Sequence, residues 1–467
     1  MKEKESYLNP GNAISPIDGR YYSKTKELAD IFSEFALMRY RVKVEVEYLI
    51  ALDVILKNMT DKVFMRTLTS QECTFLRALY LNFSDGDLAA IKIFERTTQH
   101  DVKAVEYFIR SRMSETSLAD VIGFVHYGRT SEDINNIAEA LVLRDGTAIL
   151  QQAYEKLTKE ISELAEQAKD IAMLALTHGQ PASPTTLGWE MNIFAERLKL
   201  LNKRQEDSYL SVKWNGATGG DNALYAAHPE INWRYFSINF IDVFQNSGTM
   251  KFVLNDYTNQ IESHDTYAKL FSIFQEENNV LISFAQNMWA YISREIFVQK
   301  AVEGETGSTA MPHKINPINF ENAEGNLGIA NALFNHFSNK LPISRFQRDL
   351  SDSTVERYFG VAYASTLIAL KALSAGLKRL SINHVHIYEE LDNHWEVVSE
   401  AYQVILRREG ITEGYELLLE LTKGKKVTED FIFEFVDQAV KEYGLSAETA
   451  QELKSITPHN YVGNRKF

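Results

Sequence analysis

A single cysteine, Cys73, stands in a chain of 467 residues, so no disulfide can form within it. That fits a reducing cytosol, and with no catalytic motif around it Cys73 reads as a small buried core residue rather than a nucleophile. Nine prolines and 23 glycines are few breakers for this length, and they gather in segments that also concentrate polar residues, as loops at helix ends do. No stretch approaches the roughly 18 consecutive apolar residues of a membrane span. The start, Met1-Lys2-Glu3-Lys4-Glu5-Ser6, lacks the apolar run of a secretory signal. Positive charge is in deficit, 49 Lys and Arg against 63 Asp and Glu, for a net charge of -14. That field repels nucleic acid and anionic membranes, so a small polyanion needs a locally basic pocket. There is no low-complexity tract and no short internal repeat. A composition 45% hydrophobic and 24% charged is that of a globular chain, expected in the cytoplasm.

What is present is helical periodicity. Leu150, Tyr154, Leu157, Ile161, Leu164, Ala168 and Ile171 recur at alternating steps of four and three, the seam of a helix packed lengthwise on others. Leu187, Met191, Phe194, Leu198 and Leu201 repeat the pattern, as do Ile282, Ala285, Trp289, Ile292 and Ile296. The second and third seams carry further apolar residues off their line, Ile193 and Leu200, Leu281 and Phe284. Apolar residues on several faces call for several neighbours, so a homo-oligomer is expected. No run of alternating strands is visible; Trp233 to Phe244 and Met250 to Leu254 are the stretches with room for short extended pieces. The expectation is an all-α chain with a helical N-terminal domain over 1–125, a long central bundle over 126–365 and a helical C-terminal domain over 366–467.

Three polar segments stand out. Gly307-Ser308-Thr309-Ala310-Met311-Pro312-His313-Lys314-Ile315-Asn316-Pro317 cannot form a regular helix. A helical pattern follows Pro317, which sets these polar groups near a helix N-terminus, where anions are favoured. Thr177-His178-Gly179-Gln180-Pro181-Ala182 falls between the first two seams, at a bundle end, and its histidine is the natural proton carrier at neutral pH. His126-Tyr127-Gly128-Arg129-Thr130-Ser131-Glu132-Asp133 reads as a helix N-cap whose hydroxyls and free amides can also hold a carboxylate. Further clusters are Arg20-Tyr21, Thr97 to Lys103, and Arg345 to Arg357. Each alone reads as a solvated face or salt-bridged turn; together they can bind several anionic groups.

The first segment fits the pattern G-S-x-x-M-x-x-K-x-N, the signature of the fumarase, aspartase and argininosuccinate lyase superfamily. Ser15 to Tyr21, Arg96 to Tyr107, Gln347 to Val355 and Thr457 to Tyr461 resemble the adenylosuccinate lyase family in particular. The resemblance implies a homotetramer around a central helical bundle, with each active site built from three subunits. It implies small nucleotide substrates, adenylosuccinate and succinylaminoimidazole carboxamide ribotide, each losing fumarate by β-elimination, and no metal or organic cofactor. It assigns Ser308 as general base, His178 as general acid and Glu321 as the residue orienting that histidine. Lys314 and Asn316 match carboxylate binders, and His100 and His126 other site histidines. Arg20, Tyr21, Arg348, Ser353, Thr354 and Arg357 match nucleotide and phosphate contacts. Gln99, Asp101, Thr130, Ser131, Gln260, Thr309, Ile315 and Asn322 complete the implied substrate shell.

Elimination chemistry suits these residue types. Loss of a proton beside a carboxylate spreads charge onto that carboxylate, where fixed donors such as Lys314, Asn316 and loop amides stabilise it, while the departing amine takes a proton from His178. Gln99 stands where the family has Asn, Thr309 where it has a second Ser, and Arg129 where it has a small or neutral residue. Gln and Thr keep the hydrogen-bonding chemistry; Arg129 adds a charge with no evident partner in the sequence. The competing readings are another fumarate-releasing lyase, whose substrate lacks the nucleotide phosphate, and a non-catalytic relative that reuses the bundle as scaffold.

Overall fold

A computed structural model describes residues 10–60, 65–245, 250–301, 304, 307 and 310–464. The helices that matter for the site are α1 (Glu34–Val54), α2 (Ser70–Leu81), α3 (Asp85–Thr98), α4 (Asp101–Met113), α5 (Ser131–Gln167), α6 (Leu187–Glu206), α7 (Trp233–Asp242), α8 (Asp265–Ser293), α9 (Ile318–Lys340) and α10 (Phe359–Leu377). The described residues hold three two-stranded sheets, so the chain is all-α in class. Two compact units divide it. One comprises Met1–Glu155, Leu200–Ile282 and Ala323–Lys371, the other Lys156–Lys199, Ser283–Asn322 and Ala372–Phe467.

In the first unit α1 is the central helix. Val42, Val44, Val46, Tyr48, Leu49 and Ile50 are all buried, so α1 has no solvent face and its polar side chains must find partners inside. Arg41 donates to Asn135 Oδ1 at 2.9 Å, and Glu47 accepts from Arg77 and from the Tyr80 hydroxyl. Around α1 pack Leu76, Ile91, Ala104, Val105 and Phe108 from α2 to α4. Cys73 leans on the same core, half-buried, and burial pushes its thiol up, as suits a packing residue.

The first two seams pack as the periodicity predicts. Leu150, Tyr154, Leu157, Ile161 and Ala168 are buried on or just beyond α5, and Leu187, Met191, Phe194, Leu198 and Leu201 on α6. On α8 the buried line is Leu281, Phe284, Ala285, Met288 and Tyr291, while Trp289 is 47% exposed. The face is thus turned one residue from the expected seam, because the chain carries apolar groups on both sides and the larger Phe284 and Met288 take the interior. Ile193 and Leu200 also lie open, at 42% and 66%. Ser351–Leu377 has the length and mean hydropathy of a membrane span, but 72% of its most apolar 18-residue stretch is buried inside the protein, as in a core helix.

Of the two stretches with room for extended pieces, one is helical and one holds a strand. Trp233 to Phe244 is helical over α7, capped by Asn232, whose Oδ1 accepts from Tyr235 N–H at 3.0 Å. Its Trp233, Phe236 and Phe240 fall on one face, and Phe236 and Phe240 meet the Tyr48 ring. That packing overrides the strand preference of its aromatic residues. Met250 to Leu254 does hold a strand, β4 (Lys251–Leu254), paired in parallel with β3 (Tyr209–Val212). In the second unit, β1 (Ala172–Thr177) and β2 (Gln180–Thr186) form an antiparallel hairpin that the sequence reading placed only as a bundle-end loop. A short ladder joins β5 (Phe297–Gln299) to β6 (Leu380–Ile382).

Candidate active site

The hairpin holds His178. Thr177 pairs with Gln180, leaving His178 and Gly179 as the two-residue turn at φ of 54° and 72°. Positive φ at both positions is what a type I′ hairpin turn requires; glycine adopts it freely, and histidine does so at a steric cost. The turn sets the imidazole on an exposed tip. Glu321, in the first turn of α9, accepts from Trp289 Nε1 at 3.2 Å. Among the described residues Glu321 makes no hydrogen bond to His178, so the expected orienting contact is not formed within one chain.

Ser308 and Thr309 lie outside the described residues. The base of their loop is described and is tightly drawn. Asn316 Nδ2 donates to the Gly307 carbonyl at 2.8 Å, Gln299 Nε2 donates to the Ile315 carbonyl at 3.1 Å, and Lys314 N–H donates to Met311 O at 3.1 Å. A Cβ at position 307 would sit 2.0 Å from the Lys314 carbonyl oxygen, so only glycine fits there. Lys314 and Ile315 are exposed; Asn316 and Asn322 are half-buried.

In the first unit the structure brings several implied substrate residues into contact. His100 caps α4 by accepting from Lys103 N–H at 3.3 Å, and its other nitrogen lies 3.3 Å from Ser131 Oγ. Asp101 pairs with Arg41 at 2.9 Å and with Arg357 at 3.6 Å. Arg357, Ser353 and Arg41 line a cavity of about 180 Å³ together with Glu34, Glu139 and Glu356. Gln260 is tied to the 345–357 segment, its N–H donating to Gln347 O at 3.3 Å. Gln99 closes α3 at φ 51°. Arg20, Gln99 and Thr354 are exposed and Tyr21 is half-buried. No hydrogen bond or ion pair joins the Arg20 side chain to the other implied residues among those described.

Thr130 and Ser131 sit on a buried electrostatic hub. Asp133 reaches back to the Thr130 N–H at 2.9 Å, as an acid in a helix's first turn can. It also accepts from Lys213 Nζ at 2.5 Å and from Gly216 N–H at 3.2 Å. Both side chains of the Lys213 pair are fully buried. Burial favours protonation of Asp133, but Lys213 and then Arg129 hold its carboxyl below the usual range. Arg129, the charge the sequence left unplaced, donates to Asp221 at 2.7 Å and lies over the rings of Trp214 and Tyr48, 5.2 and 5.6 Å from their centroids. It is a buried stacking cation.

Sequence reasoning missed a second hub behind Arg348. Arg348 donates to Glu132 at 2.6 Å and lies 3.8 Å from Asp352. Further in are Glu139, Glu356 and His264, with His264 Nε2 3.4 Å from Glu356. Burial, then Glu132 and Asp352, push Glu356 up to about 8; burial with Glu356 and Glu132 holds Glu139 well above the usual range. Burial lowers His264 to about 4. Burial thus favours the protonated carboxyl at Glu139 and Glu356 and the neutral ring at His264. Acids inside otherwise apolar helix stretches, such as Glu139 in Ile137 to Leu143, were the available signal.

A lyase family model matches residues 19–330, and an adenylosuccinate lyase C-terminal model matches residues 344–462. The chain is 45% identical to adenylosuccinate lyase of Dictyostelium discoideum over 98% of its own length and 97% of that protein. The chain belongs to the adenylosuccinate lyase family. Adenylosuccinate lyase of Escherichia coli K12 is 42% identical over 98% of this chain and 97% of its own. Fumarate lyase from Mesorhizobium sp. BNC1 superposes with a TM-score of 0.72 at 17% identity, covering 94% of this chain and 95% of that one. The lactonizing enzyme for 3-carboxy-cis,cis-muconate from Pseudomonas putida does so with the same score at 18% identity, covering 94% of each. At such identities the likeness is one of fold, and it supports the helical, multi-domain class. As a member of the adenylosuccinate lyase family the chain is an enzyme, a lyase.

Proposed function

We propose that Ser308 takes the proton and His178 gives one in the reaction of this family, with Lys314 and Asn316 on the substrate carboxylates and Arg348, Ser353 and Arg357 on the nucleotide phosphate. The chain is an adenylosuccinate lyase by family: it eliminates fumarate from adenylosuccinate, leaving AMP, in purine nucleotide biosynthesis. Succinylaminoimidazole carboxamide ribotide carries the same succinyl-amine linkage and is its second substrate. The observation that carries the role assignment is the drawn base of the signature loop, where Gly307 lies against the Lys314 carbonyl and under the Asn316 amide. That closure fixes Gly307, the residue before Ser308 in the chain, relative to Lys314, and fixed donors are what a developing carbanion requires.

Among the described residues of one chain Glu321 accepts from Trp289 and makes no hydrogen bond to His178. Pairing across subunits reconciles this with the orienting role, and the exposed Ile193, Leu200 and Trp289 are apolar surface that a homotetramer would cover. The expected location is the cytoplasm. The test is loss of absorbance on adenylosuccinate cleavage with Ser308→Ala and His178→Ala. Each is expected to keep the wild-type melting temperature and lose kcat by at least about 100-fold. Near-normal turnover in either variant refutes that residue's role, and fumarate release from argininosuccinate but not adenylosuccinate refutes the substrate.

A further inference from the structure

His126 is held in an arrangement that its place among the substrate residues does not by itself explain. Its backbone is at φ 61°, a left-handed conformation that a non-glycine residue keeps only when its surroundings over-determine it. Those surroundings come from α1. Glu45 Oε1 lies 2.6 Å from His126 Nδ1, and one turn further along α1 the Tyr48 hydroxyl donates to the Tyr127 carbonyl at 2.6 Å. Positions three apart on a helix share a face, so α1 grips the turn at both its side chain and its backbone.

The Glu45 side chain is fully buried, whereas that of His126 is 17% exposed. Glu45 Oε2 is buried without a hydrogen-bond partner, which makes His126 the one side chain bonded to this carboxylate among the described residues. A carboxylate buried beside a neutral imidazole is poorly compensated; beside an imidazolium it is paired. The acids facing the ring are Glu45 from α1, Glu106 from α4 and Asp133 from α5. Burial works against the charge, but Glu45 and then the other two outweigh it and raise the His126 pKa above the ordinary imidazole value.

We infer that Glu45 is a positioning residue for the substrate: it takes the Nδ1–H of His126 and keeps the ring charged, so that Nε2–H is presented as a fixed cationic donor to an anionic oxygen of the bound nucleotide. His126 is thus an anion holder in this chain and not a second proton-transfer base. The inference rests on the reading above that His126 lies in the substrate shell. Phosphate and carboxylate oxygens offer the same chemistry; AMP carries the first and fumarate the second.

The experiment uses the full-length enzyme with histidine labelled at Cε1, its His126 signal assigned by loss in His126→Gln. Glu45→Gln is expected to move the His126 titration midpoint down by roughly one pH unit or more, as losing an adjacent carboxylate does. AMP inhibition should weaken by about tenfold near pH 7.5, KM rising more than kcat falls, with fumarate inhibition unchanged if the oxygen is a phosphate's. If fumarate inhibition weakens instead, the oxygen is a carboxylate's. An unmoved midpoint overturns the pairing. A moved midpoint with both inhibition constants unchanged overturns the placement of His126 at the substrate and leaves the pairing standing. Glu45→Asp keeps the charge at a longer reach and serves where Glu45→Gln does not fold: a lowered midpoint supports the pairing, and an unchanged one overturns it.

Discussion

Lys213→Met removes the ammonium from the hub under Thr130 and Ser131 while keeping much of the side chain's apolar length. What remains is Asp133, fully buried, with the Thr130 and Gly216 amides still donating to it and its neighbour Arg129 already committed to Asp221. Taking one partner from a buried ion pair costs about 3–5 kcal/mol, because the surviving charge stays desolvated. The loss also strands the Gly216 carbonyl, which accepts from Lys213 Nζ at 2.8 Å. For a cooperative unit of roughly 290 residues, at about 2.1 cal/mol/K per residue, the melting temperature should fall by about 5–8 °C. Calorimetry at fixed scan rate and neutral pH reads this directly. Lys213→Met/Asp133→Asn, which removes both charges, should recover most of the loss, the coupling expected of groups in direct contact. A single variant that melts within about 1 °C of wild type, or a double variant that melts lower than the single, refutes the claim that this pair carries the turn.

Two further outcomes follow from the same structure. Glu356 titrates near 8 folded, against 4.5 as its ordinary value. Between those values the folded chain binds a proton that the unfolded chain has released, so this group makes stability fall as pH rises through that window; Glu356→Gln should narrow the melting-temperature gap between about pH 5.5 and about pH 8.5, and an unchanged gap refutes the raised value. Gly307→Ala meets the Lys314 carbonyl and should leave the melting temperature within about 2 °C while lowering kcat by at least about tenfold; equal losses in stability and rate would show the loop base to be a folding element instead.

The long helices were legible because a chain that buries one face repeats its apolar residues at the helical period, and Leu150 to Ala168 does so without interruption. The α8 seam was misjudged by one residue since Ile282 and Leu281 satisfy the same period from adjacent faces, and only packing decides between them. The hairpin was hidden for a different reason. Gln180-Pro181-Ala182-Ser183-Pro184-Thr185-Thr186 carries two prolines, which composition reads as loop; a two-stranded ribbon tolerates them because each strand has a free edge. Among the site residues, His100, Ser131, Asp101 and Arg357 come together from segments that sequence could only mark as polar. The charges that hold the neighbouring turn, Lys213 on Asp133 and Glu45 on His126, were harder to read, because a charged residue looks the same in sequence whether it faces water or another charge.

Gln99 and His178, both read as site residues and both exposed, share a left-handed backbone that glycine adopts readily, each side chain costing about 1 kcal/mol there. Selection for heat resistance alone would therefore favour glycine at these positions and silence the enzyme by making it sturdier. A library enriched by survival at high temperature should lose activity first at the residues that are hardest to fold, and recovering a hardened catalyst needs turnover to be screened in the same round.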